Sequence, residues 1–258
     1  MKELISLHTH TNYSDGKNSM EEMVLQAIQS GFKRIGFTDH SFVSFDAPYC
    51  MAYECYDAYK KEADRLKEKY DGQIEILCGI EQDFYSDYPA EGFDYIIGSV
   101  HFIKIEEEYI GVDWGGEEGT RILMDAAEKY FNRDIYALIE NYFETVSKVV
   151  EVTKADIIGH FDVLKISNEQ YPFFDPQNER YISARKKAAD SLLKKDVVFE
   201  INVSPVLSNT LSVPHPAPDI QAYIKDHGGR FLYTGDCHST DRLAGFAKYL
   251  QNEADALK

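Results

Sequence analysis

Short apolar runs alternate along the chain with longer amphipathic stretches. The runs Leu4–Leu7, Arg34–Phe37, Ile74–Gly79, Tyr95–Val100, Asp156–Gly159, Val197–Ile201 and Phe231–Thr234 are rich in β-branched and aromatic residues and predict strands. Several, such as Tyr95-Ile96-Ile97-Gly98-Ser99-Val100, are apolar at consecutive positions, as expected of parallel strands covered on both faces. Ser19-Met20-Glu21-Glu22 predicts a capping box; Met23, Val24, Ala27 and Ile28 then form one apolar helix face, and Gly31 ends it. Further helices are predicted over Glu54–Tyr70, Asp125–Val150, Asn178–Lys195, Asp219–His227 and Asp241–Ala256. The charge run in the first of these (Lys60-Lys61-Glu62, Arg65, Lys67-Glu68-Lys69) reads as a solvated helix face. Seven strands alternating with helices predict an α/β fold on a parallel sheet, open or closed. With no internal repeat, low-complexity tract or Pro/Gly/Ser linker, residues 1–258 read as one domain. Lys104–Arg121, polar and glycine-rich, reads as a long loop, either a lid or a surface excursion.

Composition narrows the function classes. The chain has 27 Lys and Arg against 44 Asp and Glu, a formal charge of −17, which weighs against nucleic-acid binding through a basic footprint. No apolar run approaches the roughly 20 residues of a membrane span. Met1-Lys2-Glu3-Leu4-Ile5 enters a patterned strand directly, so no signal peptide is expected. Cys50, Cys55, Cys78 and Cys237 form no CxxC pair and no disulfide framework, and a reducing cytoplasm is the expected location. Nothing in the sequence specifies an oligomeric state.

The histidines carry the chemistry. Six of the eight (His8, His10, His40, His101, His160 and His238) lie at or just past the end of an apolar run, while His215 and His227 fall elsewhere. Asp39, Glu81 and Asp236 occupy the same kind of position. Strand C-termini of a parallel barrel or open sheet share one face, where active sites are built, so these residues are expected to converge. His8-Thr9-His10 and Asp236-Cys237-His238 each place two side chains at i and i+2, on one side of a strand; Cys237 should then point into the core. Imidazole with carboxylate and no thiolate suits Zn²⁺, Mn²⁺ or Fe, and so many candidates suit two or three divalent ions. Multinuclear sites of this kind hydrolyse phosphate or amide bonds.

These segments resemble the PHP (polymerase and histidinol phosphatase) family essentially end to end. They are His8-Thr9-His10-Thr11-Asn12-Tyr13-Ser14-Asp15-Gly16, Gly36-Phe37-Thr38-Asp39-His40, Gly79-Ile80-Glu81, Gly98-Ser99-Val100-His101-Phe102, Ile158-Gly159-His160-Phe161-Asp162, Phe199-Glu200-Ile201-Asn202 and Gly235-Asp236-Cys237-His238-Ser239. The Gly-Ser-Val-His-Phe stretch and the length look most like the histidinol-phosphatase branch. The resemblance implies a distorted (β/α)7 barrel with a trinuclear site at the strand C-termini. It assigns His8, His10, Glu81 and Asp236 to one metal, His101 and His160, with Glu81 bridging, to a second, and Asp15, His40 and His238 to a third. Asp39 would orient an imidazole, and Glu200 and Asn202 would support the site or touch substrate.

The implied activity is that of a metal-dependent phosphomonoesterase: a metal-bridging hydroxide attacks a small phosphate monoester, with L-histidinol phosphate, of histidine biosynthesis, the expected substrate. Phosphate usually also meets a cationic clamp. Val203-Ser204-Pro205-Val206-Leu207-Ser208 lacks the arginine that histidinol phosphatases commonly carry there, which leaves Lys165 as the candidate phosphate contact. The alternatives are a phosphodiesterase or exonuclease, a protein-tyrosine phosphatase, and a non-catalytic metal-binding domain.

Overall fold

The predicted capping box opens the first helix, α1 (Met20–Ser30). The Ser19 hydroxyl accepts from the Glu22 N–H at 3.3 Å, and the Glu22 carboxylate accepts from the Ser19 N–H at 2.8 Å. Gly31, at φ 84°, ends the helix in the left-handed conformation that glycine adopts without penalty. Residues 3–46 and 48–256 are described by a computed structural model; Met1 and Lys2, read above as leading into the first strand, lie outside them.

Seven strands follow the order β1-β2-β3-β4-β7-β8-β9, and β5 and β6 form a separate antiparallel pair. Their spans are β1 (Ile5–Ser6), β2 (Arg34–Phe37), β3 (Glu75–Asp83), β4 (Tyr95–Ser99), β5 (Phe102–Ile105), β6 (Glu108–Gly111), β7 (Ile157–Ile158), β8 (Val198–Asn202) and β9 (Arg230–Thr234). The helices after α1 are α2 (Tyr56–Lys69), α3 (Gly116–Tyr130), α4 (Ile135–Val146), α5 (Val149–Thr153), α6 (Glu179–Leu192), α7 (Ser204–Leu207), α8 (Pro218–Asp226) and α9 (Thr240–Ala256). The chain forms two compact units, one of residues up to 97 and from 233 onward, the other Gly98–Leu232, and it passes between them within β4 and again within β9.

In the first unit, β1 pairs parallel with β2 and β2 with β3 (Ile5↔Arg34, Phe37↔Cys78). The apolar face of α1 (Met20, Met23, Val24, Ala27) is buried, as are Leu243 and Phe246 of α9, and the Phe32 and Phe246 rings stack at 6.1 Å. In the second unit, β7 pairs parallel with β8 (Ile157↔Val198), and an aromatic core of Tyr142, Phe143, Phe161, Tyr181 and Phe199 fills the space beneath the helices. All five β4 residues are buried, as their unbroken apolar run predicts.

Three elements depart from the sequence reading. Lys104–Arg121 is not a loop: it holds most of the β5–β6 hairpin and the first turns of α3. Asp125–Val150 is interrupted, because Asn132 and Arg133 take positive φ (52° and 67°) and Asp134 restarts the chain as the cap of α4, accepting from Tyr136 N and Ala137 N. β3 runs on to Asp83, through the buried polar residues Glu81, Gln82 and Asp83. Among the described residues no helix is long and apolar enough to cross a membrane, and all four cysteines are free.

Candidate metal centre

In the first unit the site grows from one backbone contact. Just past β1 and β9, Thr9 and Cys237 form a parallel bridge, with His10 N donating to Cys237 O at 3.0 Å and Cys237 N to His8 O at 3.2 Å. Residues flanking a bridged pair share one side of the sheet. His8 and His10 therefore face Asp236 and His238, while Thr9 and Cys237, both fully buried, turn the other way. A second parallel bridge, His40↔Glu81, adds the ends of β2 and β3. Asp15 arrives on the loop after His10, which is closed by Gly16 N donating to Thr11 O at 2.9 Å. A Cβ on Gly16 would lie 2.5 Å from Thr11 N, so this close approach requires glycine.

The spacing of these side chains is that of metal ligands. Donors 2.0–2.2 Å from a tetrahedral ion lie about 3.3–3.6 Å apart, wider than most hydrogen bonds. His8 Nε2 is 3.3 Å from Glu81 Oε2 and 3.6 Å from Asp236 Oδ1, and His10 Nε2 is 3.5 and 3.1 Å from the same two oxygens. On the other side, Asp15 Oδ1 is 3.7 Å from both His10 Nδ1 and His40 Nε2, and Asp15 Oδ2 is 3.1 Å from His238 Nε2. Two groups of ligand atoms result, His8-His10-Asp236 and His10-Asp15-His40-His238, each with its atoms within 4.8 Å of one another. Neither ring nitrogen of the fully buried His10 makes a hydrogen bond among the described residues, although three carboxylates surround it. This donor set fits divalent ions better than it fits itself.

Electrostatics agree. Burial, with His238 and His40 beside it, pulls His10 down to about 3, so the ring is neutral and can ligate. Against the opposing effect of burial, the imidazoles of His8, His10 and His238 hold the Asp236 carboxyl well below its ordinary range, and His238, His40 and His10 do the same for Asp15.

Asp39 does not orient an imidazole. It accepts from Thr11 N (2.8 Å), Ser14 N (3.1 Å), the Thr11 hydroxyl (2.9 Å to Oδ2) and the Ser14 hydroxyl (2.7 Å), tying down the loop that carries Asp15. Burial still pushes its pKa up. Asp39→Ala strands these donors, and we expect a loss of about 3 kcal/mol, or roughly 6–12 °C in Tm, with reduced metal content. Thermal melts and elemental analysis check both.

The second unit carries its own polar cluster at the ends of β7 and β8. His101 and His160, both buried, bring their Nε2 atoms to 3.2 Å. Glu200, fully buried on β8, accepts from the His160 backbone N–H and from Asn202 Nδ2 (3.1 Å), fixing the end of β7. Asn202 Oδ1 in turn accepts from Ser204 N at 3.0 Å, so both ends of its amide engage neighbours. Lys165 is buried, and its ammonium donates to Pro214 O at 3.0 Å and lies 3.0 Å from His215 Nδ1 and 3.4 Å from Asp162 Oδ1. Asp162 and His215 escaped the sequence reading. The signal for Asp162 was present, since His160-Phe161-Asp162 repeats the i, i+2 spacing of the other two motifs.

The PHP domain model matches residues 6–204. A Schizosaccharomyces pombe protein named "Probable histidinol-phosphatase" is 25% identical over 269 residues, covering 93% of this chain and 82% of its own. The solved structure of a histidinol phosphatase candidate from Listeria monocytogenes superposes with a TM-score of 0.77 at 19% identity, over 95% of this chain and all of that one. The histidinol phosphate phosphatase of Lactococcus lactis, solved with zinc, L-histidinol and phosphate, superposes with a TM-score of 0.66 at 20% identity, over 95% of this chain and 91% of that one. These likenesses establish the expected fold, a mostly parallel seven-stranded α/β barrel. The chain belongs to the PHP domain family.

Proposed function

We propose that this chain is a metal-dependent phosphomonoesterase that hydrolyses L-histidinol phosphate to histidinol and phosphate. The observation that carries the reading is the two groups of metal-ligand spacing assembled on the Thr9–Cys237 bridge. The names of the relatives, and the zinc, L-histidinol and phosphate in the Lactococcus lactis protein, support the substrate. In this reading residues 1–258 form a single PHP domain, and four free cysteines suit the cytoplasm.

His8, His10, Glu81 and Asp236 hold one ion, and Asp15, His40 and His238 another; His101 and His160 supply ligands for a third. His10 uses Nε2, 3.1 Å from Asp236 Oδ1, as its ligand atom for the first ion, and its Nδ1 lies 3.7 Å from Asp15 Oδ1. Divalent ions bound there supply hydroxide near neutral pH and offset charge on the phosphoryl group. Glu200 and Asn202 hold His160 in place, and Asp39 holds the loop that presents Asp15.

A phosphate-release panel tests the proposal. Zinc- or manganese-loaded protein should prefer L-histidinol phosphate by at least about a hundredfold in kcat/KM over phosphotyrosine peptide and short oligonucleotides, a preference of roughly 3 kcal/mol. Fully metallated protein that releases no phosphate from histidinol phosphate while cleaving one of the others overturns it.

A further inference from the structure

We propose that Tyr49 is a positioning residue for the metal centre, its ring holding the His40 imidazole in the orientation that serves an ion shared with Asp15 and His238. The inference rests on the ligand assignment proposed above; the contact that carries it lies within the first unit.

Tyr49 meets the site directly. Its ring packs on the His40 ring at 4.9 Å between centroids and an interplanar angle of 71°, the edge-to-face arrangement that aromatic pairs prefer. The His10 ring lies 4.5 Å from the same imidazole, so His40 packs against a fellow ligand and against Tyr49. The backbone beside Tyr49 is built to keep it there. Met51 N donates to His40 O at 2.9 Å, which brings the chain back to His40 two residues after Tyr49. Met51 is fully buried, and the Cys50 thiol, also buried, accepts from Val43 N at 3.4 Å. The sheet fixes the main chain around His40: Glu81 N donates to Asp39 O at 3.2 Å and Ser41 N to Glu81 O at 2.9 Å. Those bonds leave the side-chain torsions of His40 unset.

The torsions matter because the two ring nitrogens face different groups. Nδ1 lies 3.0 Å from Glu81 Oε2, and Nε2 lies 3.7 Å from Asp15 Oδ1. A half-turn about the Cβ–Cγ bond puts carbon where each nitrogen stands, and an imidazole C–H ligates nothing. A histidine has three χ1 wells and a broad, roughly two-fold χ2. Spread evenly over about six such states, the ring is competent about one-sixth of the time, and the apparent Kd of its ion rises about sixfold. Glu81 and Asp15 also favour the competent state, so sixfold is the upper bound. A neighbouring ring that fills the space of the other states removes this loss before the ion arrives, because the ordering is completed on folding.

Graded chelator competition on the zinc-loaded protein, with elemental analysis at each step, reads the affinity of each ion in turn. Tyr49→Ala should weaken one ion about three- to sixfold and leave the rest unchanged. Tyr49→Phe keeps the ring and should bind every ion as the wild type does. In the metal-free protein, three-bond NMR couplings across the His40 Cα–Cβ bond should report one χ1 state for wild type and Tyr49→Phe, and an average for Tyr49→Ala. Turnover by Tyr49→Ala should fall at limiting zinc and return at excess zinc with KM for histidinol phosphate unchanged, a rescue that a general loss of packing would not give. Wild-type affinity for every ion in Tyr49→Ala, or a Tyr49→Phe variant as impaired as Tyr49→Ala, overturns the inference. If Tyr49→Ala does not fold, Tyr49→Leu takes its place, with the same outcomes for and against. Failure of the phosphatase reading is separable: wild type would then leave histidinol phosphate intact, while ion affinity still followed the ring at position 49.

Discussion

Asp236→Ala should abolish turnover, lowering kcat/KM by at least about a thousandfold, and should strip metal from the protein. Asp236 Oδ1 lies 3.1 Å from His10 Nε2, 3.4 Å from His238 Nδ1 and 3.6 Å from His8 Nε2, so one carboxylate oxygen stands among three imidazoles. Its backbone is held at φ 45°, a left-handed conformation that aspartate tolerates better than most residues and that costs on the order of 1 kcal/mol. That strain is maintained where the side chain is needed. Without the carboxylate, His8, His10 and Glu81 would be left to hold a dication with one negative charge fewer to offset it. Phosphate release and elemental analysis on the same sample decide the matter. A variant that keeps more than a tenth of its activity with full metal content would refute the assignment.

Removing the ions should have an effect of similar weight. Chelation should stop turnover and lower Tm at pH 7 by roughly 10 °C: an ion present at a thousand times its Kd stabilises by about 4 kcal/mol, and each kcal/mol moves a chain of this size by about 2–4 °C. The metal-free protein should also be stable over a narrower pH range. Burial depresses His10 to about 3 and His215 to about 4, both below the ordinary 6.5. Their contribution is complete above pH 6.5 and is lost as pH falls towards 4 and 3, because the unfolded chain takes up protons that the folded chain refuses. His238 works in the opposite sense. Although burial opposes it, Asp15 and Asp236 raise His238 to about 9, so its contribution is complete below pH 6.5 and is lost as pH rises through 9. Metal-free protein should therefore be most stable near pH 6.5 in denaturant titrations. The alkaline loss should vanish on metal loading, since a ligating His238 is already deprotonated. A metal-free profile flat from pH 5 to 9 would contradict these assignments.

Local rules carried much of the fold. The Ser19 box and the Gly31 stop lie where the pattern puts them, β2 spans the predicted Arg34–Phe37, and Asn178 caps α6 by accepting from Arg180 N. Reading failed where function or packing overrides pattern. β3 ends on paper at Gly79 because Glu81, Gln82 and Asp83 are polar, yet these residues are buried in the strand, one of them beside His8 and His10. Gly115, Gly116 and Gly119 suggest a loop, but Gly115 caps α3, and Gly119 lies inside it because a Cβ there would come within 1.6 Å of Trp114 O. The ligand-bearing strand ends were legible because imidazole and carboxylate interrupt apolar runs conspicuously. His215 was not, because it follows no apolar run, and its place is set by pairing with Asn202 across the Val203–Pro214 segment.

The Thr9–Cys237 bridge has a consequence for how the protein is made. The partners that give His8 and His10 a coordination geometry, Asp236 and His238, are translated more than 200 residues after them. A nascent chain stalled anywhere before residue 236 thus lacks the carboxylate that completes the His8-His10-Asp236 group. Assembly of the His8-His10-Asp236 group in this way waits until the residues after β9 have been made.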